Sequence, residues 1–341
     1  MAFKIALRPT GHQFEAAADQ TILQAAIDAG LAMPYGCRNG ACGACKGKVV
    51  EGRVDHGAAL SLALSEADKA AGLALFCCAK PLADLTLECR EVRNEGDIPV
   101  RILPCRVQRM EQLAADVMIL RLQLPANERL QFIAGQYVEF LLKDGKRRAF
   151  SLANAPHDDA QLEIHVRLIP GGTFTQHVFS AMRERDILRI EGPFGDFRLD
   201  EESAKPMILL AGGTGFAPVK ALVEHAIHNH IVRPMAIYWG ARERAGLYLP
   251  ELPAQWAADH AHIDYVPVLS EPARGDGWTG RTGLAHEAVL ADYPDLSAHQ
   301  VYACGSPAMI EAALRDFAAR GLPAGDFFAD VFSFAPPGPS Q

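Results

Sequence analysis

Three cysteines, Cys37, Cys42 and Cys45, stand in the run Pro34-Tyr-Gly-Cys-Arg-Asn-Gly-Ala-Cys-Gly-Ala-Cys-Lys-Gly47. Their spacing is C-x4-C-x2-C, with glycines at 36, 40, 43 and 47. With a distant fourth cysteine, this is the pattern that holds a [2Fe–2S] cluster. Delivering three thiolates from one short loop requires tight wrapping, which glycine permits. The missing side chains also let backbone N–H groups approach the cluster sulfurs and tune them. Cys77 and Cys78, in Leu75-Phe-Cys-Cys-Ala-Lys80, are the candidates for the fourth thiolate. Strand alternation would put these two on opposite faces, so that only one reaches the cluster; spacing alone leaves the choice open. A structural zinc site would want a second x2 pair or added histidines. A disulfide framework belongs to small secreted chains.

The other cysteines, 89, 105 and 304, are scattered singly, as reduced thiols of a cytoplasmic protein are. The opening Met-Ala-Phe-Lys-Ile-Ala-Leu-Arg alternates like a strand and has no apolar export region. No apolar run approaches the roughly 18 residues of a membrane span, so no membrane association is expected. A formal net charge of −8 disfavours non-specific nucleic-acid binding. A chain of 341 residues has room for two or three domains, and a monomer is expected.

The elements that must position the cysteines follow from pattern. Residues 3–8 and 12–16 read as a hairpin. Thr21 to Ala29 reads as a helix capped near Asp19 or Gln20 and stopped by Gly30. Lys48–Val54 reads as strand–turn–strand, Ser65–Lys69 as a capped helical turn, and Leu85–Arg90 as a closing strand. Residues 93–100 read as a linker. Strand candidates at Cys105–Met110, Val117–Leu124, Gln136–Leu142 and Leu162–Ile169 then suggest a small antiparallel barrel. From Lys205 strands alternate with helices: Met207–Ala211, Pro218–His230, Met235–Trp239, Ile263–Leu269, a helix from Thr282, Gln300–Cys304 and Pro307–Arg320. That alternation predicts a parallel α/β sheet with ligands at the strand C-terminal ends. The tail, 335–341, reads as disordered.

Three further stretches carry chemistry. Arg147-Arg-Ala-Phe-Ser151 offers a guanidinium fork suited to phosphate and a flat ring suited to a flat ring. Pro170-Gly-Gly-Thr-Phe-Thr175 puts glycines and hydroxyls at a helix start, where backbone N–H groups bind anions or, equally, serve as a plain N-cap. Ala211-Gly-Gly-Thr-Gly-Phe-Ala-Pro218 lies between a strand and a helix, but lacks the G-x-G-x-x-G spacing.

Together these stretches resemble the ferredoxin–NADP reductase family. Arg148, Phe150 and Ser151 match its R-x-Y-S signature, with phenylalanine in place of tyrosine. The resemblance implies that Arg148 meets the FAD pyrophosphate, Phe150 stacks on the isoalloxazine and Ser151 hydrogen-bonds near flavin N5. It implies a second pyrophosphate contact at Gly172, Thr173 and Thr175. Gly212, Gly213, Thr214, Gly215 and Pro218 match the family's G-G-T-G-x-x-P turn, which holds nicotinamide-dinucleotide phosphates. Cys304 and Gly305 match its C-G-x-P-x-M motif, beside the nicotinamide. Asp330 and Phe332, with Phe334 as a competitor, stand where the family places an acid and an aromatic by the flavin. Gly240–Tyr248 resembles the adenosine-side loop. There Arg242 and Arg244 would reach a 2′-phosphate while Glu243 would repel one; the overall arrangement resembles NADH-using members, with NADPH the alternative.

In order and extent the whole chain resembles the reductases of two-component oxygenases, a plant-type ferredoxin joined to a reductase module. The runs Met33–Cys42, Leu75–Pro81 and Glu88–Val92 also resemble CDP-6-deoxy-Δ-3,4-glucoseen reductases. In the family the first cysteine after the long gap is the ligand, which implies Cys77. The implied architecture is multidomain: an α+β β-grasp [2Fe–2S] ferredoxin domain at 1–93, an antiparallel β-barrel FAD domain at 100–202, and an α/β parallel-sheet NAD(P) domain at 205–334. The implied activity passes hydride from NADH to FAD, guided by Ser151 and Cys304. Single electrons then cross the cluster to a partner protein docking near Arg38 and Asn39. That partner is an oxygenase or, alternatively, a sugar-nucleotide dehydratase. A non-catalytic iron–sulfur carrier or sensor would show damage at Arg148, Ser151, Gly213 or Cys304, and all four are intact.

Overall fold

The structure is a computed structural model and describes residues 2–31, 33–35, 40, 43, 45–59, 61, 63–89 and 98–332. Most of the 93–100 linker, the 335–341 tail and Phe334 lie outside these, as do Cys37, Arg38, Asn39 and Cys42.

Three sheets follow one another along the chain. In the first unit, strands β1 (Ala2–Arg8) and β2 (Gln13–Ala17) form a hairpin, and helix α1 (Ile22–Asp28) follows. Then come β3 (Lys46–Glu51), β4 (Val54–Asp55), α2 (Glu66–Ala70), β5 (Leu73–Leu75), β6 (Lys80–Pro81) and β7 (Leu85–Glu88). The sheet order is β2-β1-β7-β3-β5, with β1 parallel to β7, a β-grasp. Helix α1 buries Ile22, Leu23, Ala25 and Ala26 in one core with Ile5, Leu7, Phe14 and Leu87. Its cap is Thr21, whose hydroxyl accepts from the Gln24 N–H at 3.3 Å, rather than Asp19 or Gln20. A hydroxyl three residues ahead reaches that free donor, and Gln20 is instead bonded to the Asp28 carboxylate at 2.6 Å.

The second unit comprises β8 (Arg101–Ala114), β9 (Val117–Gln123), β10 (Tyr137–Leu141), β11 (Arg147–Ser151), β12 (Leu162–Arg167), α3 (Thr173–Ser180) and β13 (Ile187–Phe194). The order β11-β10-β13-β8-β9-β12 is antiparallel at every pairing, and a Leu152–Ile164 bridge joins the two ends into a barrel. Strand β13 escapes sequence reading because its run mixes Arg189, Glu191, Gly192 and Pro193 into the pattern.

The third unit comprises β14 (Met207–Gly212), α4 (Phe216–His228), β15 (Met235–Ala241), α5 (Glu251–Asp259), β16 (Ile263–Leu269), β17 (Arg281–Thr282), α6 (Ala285–Asp292), β18 (Gln300–Gly305), α7 (Pro307–Ala318) and β19 (Phe327–Val331). All pairings in the order β17-β16-β15-β14-β18-β19 are parallel. Near-continuous apolar runs such as Met-Ile-Leu-Leu-Ala in β14 are what burial on both faces demands. One face packs Phe216, Trp239 and Tyr302; the other packs Tyr238, Val289 and Phe317. The helix expected from Thr282 begins instead at Ala285, because Arg281 and Thr282 pair with Val268 and Leu269 as an edge strand.

Candidate active site and cluster site

Ser151 is the last residue of β11, and Cys304 and Asp330 are register partners in β18 and β19. Although they belong to different sheets, the Ser151 hydroxyl donates to Asp330 Oδ2 at 3.1 Å, across 179 residues of sequence. Burial raises the Asp330 carboxyl, opposed by hydrogen bonds from Ser151 and Cys304. Burial also pushes the Cys304 thiol well above its ordinary value, with the Asp330 charge acting the same way. Cys304 is fully buried and stays a neutral thiol at physiological pH. The next residues along turn back on the same strand end: the Phe332 N–H donates to the Gly305 carbonyl at 2.8 Å. Barrel and α/β sheet therefore meet at these side chains.

On the barrel side, adjacent arginines divide their work. Arg147 is neutralised by Glu139 at 2.9 Å and by Glu191. Among the described residues no carboxylate pairs with Arg148, whose Nη1 donates to the Arg147 carbonyl at 2.7 Å. An unneutralised guanidinium beside the site fits a phosphate. Phe150 is half-buried, edge-on to Phe140 at 5.6 Å and tilted against Phe174 at 5.4 Å. Phe174 belongs to α3, whose N-cap is Gly172 and which has no side-chain cap hydrogen bond. The backbone N–H groups of Thr173, Phe174 and Thr175 thus have no intrahelical acceptor. The Thr175 hydroxyl is turned inward, accepting from the Ile169 N–H at 3.1 Å and donating to the Gly172 carbonyl at 3.2 Å. It braces the turn, so an anion here would meet Thr175 through its backbone.

On the sheet side, the strand–helix turn Gly212–Gly215 is pressed against β18. A Cβ on Gly215 would lie 2.1 Å from the Cys304 carbonyl oxygen, and one on Gly212 would lie 2.7 Å from Met309 Sδ. Gly213 has φ +55°, its carbonyl accepts from Trp239 Nε1 at 2.9 Å, and Trp239 stacks on Phe216 at 3.9 Å. Thr214 lies within the turn and Pro218 in the first turn of α4. The glycines let the turn press closely on β18 and on Arg167, at a helix N-terminus suited to phosphate. In the Gly240–Tyr248 loop, Arg242 is held by Glu271 at 2.8 Å and Arg244 donates to the Asp276 carbonyl at 3.1 Å.

Two groups escaped sequence reading. Arg167, the last residue of β12, puts its guanidinium 3.3 Å from where a Gly213 Cβ would stand, so a barrel cation reaches the Gly212–Gly215 turn. Its partner is Asp116 at 3.5 Å, and its Nη2 is buried without a hydrogen bond. The second is a buried ionic link. Lys220 of α4 bonds the Ala153 carbonyl at 3.1 Å, Glu163 at 3.3 Å and Glu224 at 2.9 Å. Glu163 also holds Arg121 and His165, each at 2.9 Å, and His165 meets the Tyr248 hydroxyl at 2.8 Å. No local motif marks these residues; a lysine and a histidine amid apolar runs were the only signals.

At the cluster loop, Cys45 and Cys77 are buried and hydrogen-bonded to each other. That bond lowers the Cys77 thiol to about 6, against the effect of burial; a second bond, to Cys78, also lowers it. A Cys77 thiol disposed to ionise beside a second buried cysteine suits a thiolate-ligated cluster. Among the described residues no group of three metal-binding side chains assembles, Cys37 and Cys42 lying outside them. The strand expected at Cys77 and Cys78 is instead a turn, in which the Leu75 carbonyl accepts from the Cys78 and Ala79 N–H groups. The turn removes the alternation, so the two sulfurs are 3.7 Å apart rather than on opposite faces. Cys78 Sγ sits under Gly40, 2.7 Å from where its Cβ would be.

Comparison with known proteins agrees with this assembly. Residues 5–82 match the 2Fe-2S iron-sulfur cluster binding domain, 104–199 the oxidoreductase FAD-binding domain and 209–315 the oxidoreductase NAD-binding domain. The chain is 41% identical over 334 residues to the CDP-6-deoxy-L-threo-D-glycero-4-hexulose-3-dehydrase reductase of Yersinia pestis, covering 97% of this chain and 99% of that one. It is 33% identical to the terephthalate 1,2-dioxygenase reductase component 2 of a Comamonas species, covering 99% of each. Among solved structures, the Amycolatopsis cytochrome P450 reductase GcoB superposes with a TM-score of 0.65 at 35% identity, over 97% of this chain and 98% of that one. The chain belongs to the family of electron-transfer reductases that join a 2Fe-2S domain, an FAD-binding barrel and an NAD-binding domain in one polypeptide, and it is an NAD(P)H oxidoreductase.

Proposed function

We propose that this reductase takes hydride from NADH at the Ser151–Asp330–Cys304 junction and gives up single electrons at the 37–45 loop to a partner protein. The observation that carries this reading is the 3.1 Å contact between Ser151 of the barrel and Asp330 of the α/β sheet, with Cys304 beside them. When bound, FAD accepts the pair as hydride and can release it one electron at a time, while the cluster carries one. The protein's own residues bind and orient. Arg148 and the start of α3, from Gly172 through Thr173 and Thr175, receive the flavin pyrophosphate. Phe150 lies on the ring, and Ser151 hydrogen-bonds at its reacting edge. Gly212–Gly215 and Pro218 seat the nucleotide phosphates. Cys304 and Gly305 bound the nicotinamide, with Asp330 and Phe332 as the acid and the aromatic beside the flavin. Cys37, Cys42, Cys45 and Cys77 hold the cluster. The corresponding domain limits are 1–93, 100–202 and 205–334.

NADH is favoured over NADPH because Arg242 is already paired with Glu271, and Glu243 adds a like charge beside a 2′-phosphate. No described helix is long and apolar enough to cross a membrane; that the protein is a cytoplasmic monomer is part of the proposal. The acceptor is an oxygenase component, docking near Arg38 and Asn39. A second reading, a deoxyhexulose dehydrase as acceptor, is favoured by the 41% identity to the Yersinia reductase.

Protein with full FAD and iron content should reduce ferricyanide and cytochrome c with NADH. No NADH-dependent reduction of either by such protein would overturn the reductase reading. Reconstitution with an aromatic-ring oxygenase and, separately, with a hexulose dehydrase distinguishes the two acceptors.

A further inference from the structure

Among the described residues, the side chain of Gln131 ties the approach to the cluster loop to the flavin barrel. Gln131 belongs to the connector that leads from β9 into β10, and it is 7% exposed. Its Nε2 donates to the Met33 carbonyl at 2.8 Å, and its Oε1 accepts from the Tyr35 N–H at 3.1 Å. Both ends of one amide are thus used on backbone two and four residues ahead of Cys37. Met33 is fully buried and Tyr35 is 8% exposed, so the joint is dry. The same connector runs into Tyr137, which pairs in register with Ser151. A rigid path of about six residues therefore links the clamp to the flavin side of the barrel. A second fastening of the ferredoxin unit among the described residues is remote from the loop. There the end of α1 meets α4: His228 Nε2 donates to the Ile27 carbonyl at 3.2 Å, and Gly30 abuts Asn229.

A side-chain amide that matches a backbone donor and acceptor fixes position in the manner of a strand pair. An apolar side chain there would take both hydrogen bonds away from buried backbone groups, a loss with a full desolvation cost. We propose that Gln131 is the positioning residue that registers the cluster loop on the flavin barrel and thereby sets the rate of electron passage from flavin to cluster. The inference rests on the reductase reading. It adds that the distance the electron crosses is governed by this amide rather than by the chain linking the domains.

The test compares wild-type protein with Gln131→Leu and Gln131→Asn, each carrying full FAD and cluster. In single turnover, flavin reduction by NADH keeps its rate and its dependence on NADH. Cluster reduction slows several-fold in Gln131→Leu, because electron passage falls off steeply with the distance crossed. Gln131→Asn, which keeps the amide but is one methylene too short to span both backbone groups, falls between. Apart from turnover, amide hydrogen exchange at Tyr35 becomes at least about tenfold faster in the leucine variant. An unchanged cluster-reduction rate in a fully loaded leucine variant overturns the proposal. So does loss of the cluster's own spectrum, which would make Gln131 a support of the loop and nothing more. Failure of NADH to reduce the wild-type flavin would instead overturn the reductase reading.

Discussion

Gly215→Ala tests whether the Gly212–Gly215 turn seats the nucleotide. Gly215 has ordinary right-handed backbone angles, φ −59° and ψ −11°, so alanine brings no conformational strain. The effect is purely one of space. The added methyl would lie 2.1 Å from the Cys304 carbonyl oxygen and 2.6 Å from its carbon. Relief to van der Waals distance requires about 1 Å of separation between turn and strand. Neither side yields easily: β18 is buried along its whole length, and so is the first turn of α4. Overpacking of this kind costs roughly 1–3 kcal/mol, which a folded protein survives. About 1 Å of displacement at a reacting centre costs roughly a hundredfold in rate, or about 3 kcal/mol of transition-state stabilisation. The expected outcome is a kcat/KM for NADH about a hundredfold lower with ferricyanide as acceptor. FAD content should be unchanged, and the cluster should still be reduced chemically. Gly145→Ala is the control. Gly145 lies in the hairpin between β10 and β11 at φ +79° with nothing within 4 Å of its would-be Cβ. It should lose about 1 kcal/mol of stability and no activity. Wild-type kcat/KM in a folded Gly215→Ala protein would refute the assignment of the turn.

Cys77→Ser should abolish the cluster absorbance while Cys78→Ser keeps it; the reverse result would make Cys78 the ligand. Ser151→Ala should slow flavin reduction by roughly ten- to a hundredfold with FAD retained. Because the Ser151 hydrogen bond holds the Asp330 carboxyl down, its loss should also move any titration of that step to higher pH. Glu163, buried yet held at about 2 by His165, Lys220 and Arg121, contributes stability that is present above its unfolded value of 4.5 and lost as pH falls toward 2. The loss is on the order of 3 kcal/mol, and urea unfolding at successive pH values should show it flattened in Glu163→Gln. Glu271→Gln should free Arg242 and raise kcat/KM for NADPH relative to NADH; an unchanged ratio would remove Arg242 from cofactor choice.

The three units were legible in the sequence because each announces itself locally. The cysteine spacing, the alternating barrel strands and the apolar strands of the parallel sheet are short-range patterns, and so are the glycine turns. What escaped was set by partners distant in sequence. The turn at Cys77 and Cys78 is closed by the Leu75 carbonyl, which no alternation rule anticipates. The inward Thr175 hydroxyl is claimed by its own loop. Strand β13 forms despite Gly192 and Pro193 because β8 and β10 supply its ladder on both sides. Arg167, Lys220 and Gln131 look like ordinary polar residues until the barrel is laid against its neighbours.

The same contrast bears on what Cys304 does. A cysteine at a strand end beside a carboxylate invites a reading as a reactive thiol, yet the surroundings argue against one. Burial raises its pKa, and Asp330 raises it further, whereas a nucleophilic thiol needs a cation or a helix N-terminus aimed at it. Its backbone carbonyl, moreover, faces Gly215, so the residue is fixed from both ends. Hydride transfer needs two flat rings held in contact, with water kept out and no charge that favours one redox state too strongly. A neutral thiol and a carboxyl shifted toward neutrality by burial, hydrogen-bonded to one serine, meet that need. On the proposed function, they would also place the chemistry at the seam between barrel and sheet, where these side chains meet. On the same proposal, the loop at 37–45 would serve as the outlet, and the Gln131 bonds to Met33 and Tyr35 would join outlet to seam.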